Sequence, residues 1–314
     1  MRVKKNDYSV IPVPWAAGVL RRTFGSLQHI RGIPRLLWWT RHLAFPSGPI
    51  LVDTPDGLPI TIDPDDYGQL MLFYFDYCPE LQALMADVLR PGDLCLDLGA
   101  NVGVLTVKMA ELVSPGGKVI AVELNAKVAS QLQATIESRY SDLVKVVVRG
   151  IARTPGMGNI ECHPGGFSES VEVTKIINHP GCVDQPNTLT TIDIIVKSFT
   201  PQRTPDFIKV DIEGSEVELL ESMESLMGSG ARPMLLVEFH PEKCLKRGCN
   251  VEGIWEQLWA IGYSGRTVDS VGISYRLRDK SSVSLGRENV LFTTSAHLSE
   301  RPKLAKPWAD ANSI

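Results

Sequence analysis

Short apolar runs separated by amphipathic stretches dominate the chain from residue 92 onward. The runs at 94–98, 119–122, 144–148, 207–210 and 234–239 have the length and continuity of strands buried on both faces. Between them, 102–112, 127–139 and 215–227 carry apolar residues at helical spacing. Strands alternating with helices predict an α/β fold with an open, mostly parallel sheet and helices on both of its faces. Upstream, the apolar runs of 50–62 flank Pro55-Asp56-Gly57, a turn signal that predicts a β-hairpin, with Pro59 limiting its pairing. Leu81, Leu84, Met85, Val88 and Leu89 mark one buried helical face that ends at Pro91-Gly92.

The pattern divides the chain into an N-terminal extension over 1–49, the hairpin and a linker over 50–78, the α/β domain over 79–300 and a tail over 301–314. The extension is unusual in charge. From Tyr8 to Val52 there is no acidic residue, while Arg21, Arg22, Arg31, Arg35 and Arg41 stand among Trp15, Phe24, Trp38, Trp39 and Phe45. Its arginines interrupt every apolar run well short of the roughly 20 residues that span a bilayer. Three readings stay open: a helical extension packed on the core, contact of residues 15–45 with an anionic membrane surface, or an organelle-targeting segment. The insert at 155–187, rich in Gly, Pro, His and Glu, is expected to be an irregular lid, an acceptor-recognition loop or surface decoration.

Hydrophobic residues make up 44% of the chain and charged residues 22%, which argues against wholesale disorder and multi-span membrane architecture. A net charge of −4 gives no support to a nucleic-acid partner. Six dispersed cysteines predict reduced thiols and a cytoplasmic protein, peripheral at a membrane if the extension makes that contact. Cys162, His163, His179 and Cys182 are the one zinc-like set, but their spacing matches no zinc motif and ordinary loop residues are expected.

The candidate chemistry begins at Asp97-Leu98-Gly99-Ala100-Asn101-Val102-Gly103, which closes a strand and opens a helix. Small residues there let a ligand approach the free N–H groups of a helix N-terminus. The Gly-x-Asn-x-Gly spacing departs from the Gly-x-Gly-x-x-Gly of dinucleotide sites and disfavours NAD or FAD. Glu123 ends the second strand, where a carboxylate can accept from both ribose hydroxyls. Asp97, Gly99, Ala100, Asn101, Gly103, Glu123 and the adjacent Leu124 are therefore read as a nucleoside-cofactor site.

The stretch Phe207-Ile208-Lys209-Val210-Asp211-Ile212-Glu213-Gly214-Ser215-Glu216 resembles the Lys-(Ile/Val)-Asp-(Val/Ile)-Glu-Gly-x-Glu signature of FkbM-type methyltransferases. Thr190-Thr191-Ile192-Asp193, Leu236-Val237-Glu238-Phe239-His240 and Glu288-Asn289-Val290-Leu291-Phe292 are similar to flanking segments of that family, in the right order. The resemblance implies a Rossmann-like class I methyltransferase with a seven-stranded sheet, S-adenosylmethionine as donor, and usually oxygen as the methylated atom. It also implies adenine contacts after the third strand, at Ile151 and Ala152, where Arg149-Gly150-Ile151-Ala152 replaces the family's Asn-x-Ala-like sequence.

Ligands of open parallel sheets bind beyond the carboxyl ends of the strands, so Asp97, Glu123, Asp211 and His240 are expected to share one crevice. Removing a proton from a hydroxyl acceptor needs a base, and Asp211 and His240 are the candidates, with Asp211 also near the donor. Glu213 divides between catalysis and capping of the following helix, and Glu216 leans toward capping. Asp211, Glu213 and Glu238 offer oxygen ligands to magnesium or calcium, but no loop has a cation-binding spacing and no metal is predicted. The acceptor is expected to be a small molecule, a sugar or glycan, or a lipid-linked hydroxyl. The competing function is a non-catalytic interaction module that keeps the cofactor fold.

Overall fold

The structure, a computed structural model, describes residues 15–27, 30–161, 172–174, 187–212, 216–246, 251–271, 274–278 and 287–310. Helices α1 (Trp15–Phe24) and α2 (Ile33–Ala44) precede the hairpin of β1 (Ile50–Asp53) and β2 (Pro59–Ile62), then α3 (Tyr67–Tyr74) and α4 (Pro79–Val88). The hairpin pairs antiparallel, and Pro59 is tolerated because it stands at the strand's first position, opposite Asp53. The α/β core begins with β3 (Leu94–Leu98), α5 (Val104–Val113), β4 (Lys118–Glu123), α6 (Ala126–Arg139) and β5 (Val144–Val148). A small second sheet follows, from β6 (Gly150–Ile151), β7 (Gly156–Glu161), β8 (Glu172–Thr174) and β9 (Asn187–Thr190). The chain continues through α7 (Ile192–Phe199), β10 (Phe207–Val210), α8 (Leu219–Ser222), α9 (Glu224–Gly228), β11 (Met234–Phe239), α10 (Pro241–Lys246) and α11 (Val251–Ala260). It closes with β12 (Ser264–Val271), β13 (Ser274–Arg278), β14 (Glu288–Thr293), α12 (Ser295–Glu300) and α13 (Pro302–Asp310).

The main sheet has the order β13-β12-β14-β11-β10-β3-β4-β5. From β5 to β11 every neighbour pair is parallel, and β14, β12 and β13 then join by antiparallel pairing. Seven of these strands form the expected mostly parallel sheet, and β13 is an eighth strand added at its edge. Side chains alternate between two cores, as a sheet covered on both faces requires. Cys95, Val119, Ala121, Phe207, Met234 and Leu236 face the core shared with α4, α5 and α6. Leu96, Leu98, Ile120, Val122, Ile208, Val210, Leu235 and Val237 face the core shared with α7 and α11.

Helix starts follow local polar chemistry. The Asn125 side chain accepts from the backbone N–H of Lys127 (2.9 Å) and opens α6, and Asp66 does the same for Gln69 (2.9 Å) at α3. The helix expected over 215–227 is instead broken: Glu216–Glu218 forms a 3-10 turn, and α8 and α9 part at Met223, whose φ of −125° leaves the helical region. The cause lies in another element. The Asp193 carboxylate of α7 accepts from Ser225 N (2.7 Å) and Leu226 N (2.8 Å), capping a new helix start that local periodicity does not reveal.

The described part of the tail, residues 301–310, continues the packing of the domain. It holds the helix α13, with Leu304 and Trp308 buried, and Arg301 pairs with Asp93 at 3.1 Å. The insert holds strand β7 and part of the small sheet. Cys162, His163, His179 and Cys182 lie outside the described residues, as does Glu213.

Candidate active site

Strand register gathers the charged residues of the sheet's carboxyl end. Lys209 of β10 pairs with Asp97 of β3, so the two side chains fall on the same face of neighbouring strands. Val210 pairs with Val237, and Glu238 pairs with Asn289, which carries the same face outward to Asp211, Glu238 and Asn289. Lys209 Nζ lies 3.4 Å from Asp97 Oδ1 and 3.5 Å from Asp211 Oδ2, and donates to the Gly99 carbonyl at 3.4 Å. His240 Nε2 lies 3.9 Å from Asp211 Oδ1 and 3.8 Å from Glu238 Oε2. Arg287 clasps Glu238 through Nε and through Nη2 (2.6 Å), a bidentate arrangement to which Asn289 adds a weaker bond at 3.4 Å.

Burial and charge divide these groups. Burial alone would lower the Lys209 ammonium, but Asp97, Asp211 and Glu238 hold it above its ordinary value. Burial works to raise the Asp211 carboxyl, yet the Lys209 ammonium, helped by the neighbouring His240, Glu238 and Arg287, holds it well below the usual carboxylate range. Glu238 moves the other way: burial outweighs the Arg287 clasp and, with the neighbouring Asp211 charge, pushes it up to about 6. Two neighbouring carboxyls whose proton affinities are driven apart are a usual mark of acid-base chemistry. Tyr77, just ahead of α4, feels both carboxylates and Arg287, and burial pushes its phenol well above the ordinary value.

The cofactor turn is built by backbone geometry. Gly99 (φ +79°), Asn101 (φ +51°) and Gly103 (φ +98°) all occupy the left-handed region. A Cβ on Gly99 would stand 1.7 Å from the Asp211 carbonyl oxygen, so glycine alone lets the turn pack onto the end of β10. Glu123 receives the Asn101 N–H on Oε2 and the Asn125 N–H on Oε1, both at 2.8 Å. These two bonds orient the carboxylate across the turn and leave lone pairs on both oxygens for a diol. Burial pushes its pKa up despite those donors. Leu124 flanks Gly150, where a Cβ would come within 3.1 Å of it, and Ile151 and Ala152 are buried beside them.

Asp211 and His240 therefore meet in one cluster, with Glu123 across the glycine turn from it. Asp97 is fully buried at the end of β3, accepts from Thr106 Oγ1 at 2.6 Å and lies 3.4 Å from Lys209 Nζ. Glu216 is also fully buried and accepts from the Cys244 thiol at 3.8 Å. Lys209, Arg287 and Tyr77 stand beside this candidate cluster without having been singled out by sequence, where Glu238 stood only as a cation ligand. Lys209 had a signal, since a lysine within an apolar strand is costly unless paired. Arg287 and Tyr77 had none, because their sites depend on which strands and helices become neighbours.

Comparison with known proteins bears on the same segment. The sequence model of the methyltransferase FkbM domain matches residues 97–264, more than half of the chain, from the buried aspartate of β3 to the first residue of β12. The chain belongs to the methyltransferase FkbM domain family. Within this family the glycine turn, Glu123 and the β10–β11 cluster all lie in the matched region. Membership brings S-adenosylmethionine as the donor, and the acceptor-only carboxylate of Glu123 beside a left-handed turn suits a nucleoside of that kind. The chain is 33% identical over 126 residues to protein-L-isoaspartate O-methyltransferase 2 of Archaeoglobus fulgidus, covering 38% of this chain and 49% of that protein. It is 42% identical over 60 residues to the protein-L-isoaspartate O-methyltransferase of Aeropyrum pernix, covering 19% of this chain and 23% of that one. The chain thus spans half or less of the curated relatives it matches. Among solved structures, a methyltransferase FkbM from Methylobacillus flagellatus is 15% identical with a TM-score of 0.43, covering 68% of this chain and 50% of that one.

Proposed function

We propose that this FkbM-family protein is an S-adenosylmethionine-dependent O-methyltransferase acting on a hydroxyl of a small-molecule or glycan acceptor. One observation carries the reading: a proton-handling cluster of Asp211, His240 and Glu238 stands at the strand ends next to the glycine turn and the oriented Glu123. When bound, the donor supplies an electrophilic methyl group on a sulfonium. Glu123 holds the ribose diol, and the 99–103 turn keeps side chains clear of the ligand. His240 takes the acceptor's proton, and the position of Nε2 near both Asp211 and Glu238 lets that proton be held between two carboxylates. Asp211, kept ionised by Lys209, stabilises the positive charge that forms on the imidazole.

Asp211, Glu238 and His240 each present a ligand atom within 4.8 Å of one another, so a divalent cation has a donor set here. Lys209 and Arg287 already neutralise those carboxylates, which favours proton transfer over metal binding for the same groups.

The assignment is tested by titrating S-adenosylhomocysteine and NAD into the protein calorimetrically. Binding of the former alone is expected, and binding of neither would move the interaction-module reading to the front. Glu123→Ala is expected to weaken S-adenosylhomocysteine about 10- to 100-fold by removing hydrogen bonds to a charged acceptor. An unchanged affinity would remove Glu123 from the ribose site.

Acidity gives a second check. Below about 6 Glu238 takes up a proton and no longer offers a negative charge to support the imidazolium that His240 becomes on taking the acceptor's proton. The value of kcat/KM is therefore expected to rise with pH through that region, and Glu238→Gln is expected to flatten this limb. A profile unchanged in Glu238→Gln would place the titration elsewhere.

A further inference from the structure

Among the described residues, both N-terminal helices carry stripes of exposed apolar side chains. On α1, Ala17 is buried and Arg21 turns inward to donate to the Asp53 carbonyl at 2.7 Å, whereas Trp15 (83% exposed) and Val19 point outward one turn apart. On α2, Leu37 and Ala44 are buried, and Leu36, Trp39 (70% exposed) and Leu43 (84% exposed) form an outward stripe at i, i+3 and i+7. Ile30, between the helices, is exposed as well. Single exposed apolar side chains need no explanation. Here six of the thirteen large ones among the described residues fall between Trp15 and Leu43, a concentration that does.

Charge identifies what covers this face. Arg22, Arg31 and Arg35 are exposed around it, and no acidic residue occurs from Tyr8 to Val52. The remaining arginines of the segment are engaged with the body of the protein, Arg21 at the β1 end and Arg41 with Asp65 at 3.1 Å. Two copies meeting through this face would bring arginines against arginines with no acid of the segment to pair them. Anionic headgroups have the opposite charge, and Trp with Leu suits the boundary between headgroups and acyl chains. The helices have 10 and 12 residues, and no helix among the described residues is long and apolar enough to cross a membrane, so they would lie along its surface.

We infer that α1 and α2 form a docking surface for anionic lipid membranes, with Trp15, Val19, Leu36, Trp39 and Leu43 inserted and Arg22, Arg31 and Arg35 on the headgroups. This inference is independent of the methyl-transfer reading. The test is co-sedimentation of the full chain with phosphatidylcholine vesicles with and without phosphatidylserine. Three proteins are compared: the native chain, Trp39→Ser/Leu43→Ser and Arg22→Glu/Arg35→Glu, with unfolding curves confirming that these surface changes leave the fold intact.

The native chain is expected to bind the phosphatidylserine vesicles, more weakly as salt rises. The arginine reversals are expected to lower binding by about fivefold or more per site, and the apolar double variant by more than about tenfold. Absence of binding to phosphatidylserine vesicles, equal binding to neutral ones, or native-like binding by both variants would overturn the inference. A self-associating native chain that ignores vesicles and becomes monomeric in the apolar variant would assign the face to a second copy instead.

Discussion

Asp211→Asn is expected to lower the rate of methyl transfer by about 10²- to 10⁴-fold, the range associated with a positioned proton-transfer group, while S-adenosylhomocysteine affinity changes little. The substitution keeps the shape of the side chain and removes its charge. Lys209 then retains only Asp97 as a close ionised partner, and the imidazole of His240 loses the carboxylate that stabilises its protonated form. The measurement is single-turnover transfer to a hydroxyl compound found by acceptor screening, paired with calorimetry of the cofactor product. Equal losses in binding and turnover would make Asp211 a cofactor ligand first. Undiminished turnover would remove the cluster from the chemistry altogether.

Gly99→Ala is expected to destabilise the fold by about 4 kcal/mol, combining a left-handed backbone strain with overpacking against β10. The added methyl group would sit 1.7 Å from the Asp211 carbonyl oxygen, so either the turn or the strand end must move. Both positions serve the site, and cofactor affinity should fall with stability. Gly57→Ala is the control: Gly57 has φ +84° but nothing within 4 Å of the new Cβ, so only the backbone cost of about 1–2 kcal/mol applies. Denaturant unfolding of the two variants separates the clash from the strain. Equal destabilisation would mean that the close approach of the turn to β10 is not a constraint on the chain.

Much of the architecture was legible because it is written in short-range order. Continuous apolar runs identified β3, β4, β5, β10 and β11, and helical periodicity identified α4, α5 and α6 to within about two residues. The glycine turn was visible because two glycines and an asparagine follow a strand and open a helix, and all three take positive φ. The misreading occurred where a distant group decides a local outcome. Asp193 reaches across to end one helix and start the next at Met223.

For the site, the sequence by itself determined which residue types stand at strand ends: Glu123, Asp211, Glu238 and His240 each follow an apolar run, and that position alone directs them to the sheet's carboxyl edge. Tertiary structure decided their neighbours. Register placed Lys209 beside Asp97 and set Asp211 next to Glu238 so that the two carboxyls are driven apart in proton affinity. Arg287, more than forty residues beyond Glu238 in sequence, reaches it only because β14 folds back antiparallel on β11. The reason is physical: strand periodicity fixes which face a side chain occupies, but charge coupling falls off over a few ångströms, and neighbours at that distance are chosen by the order of strands in the sheet.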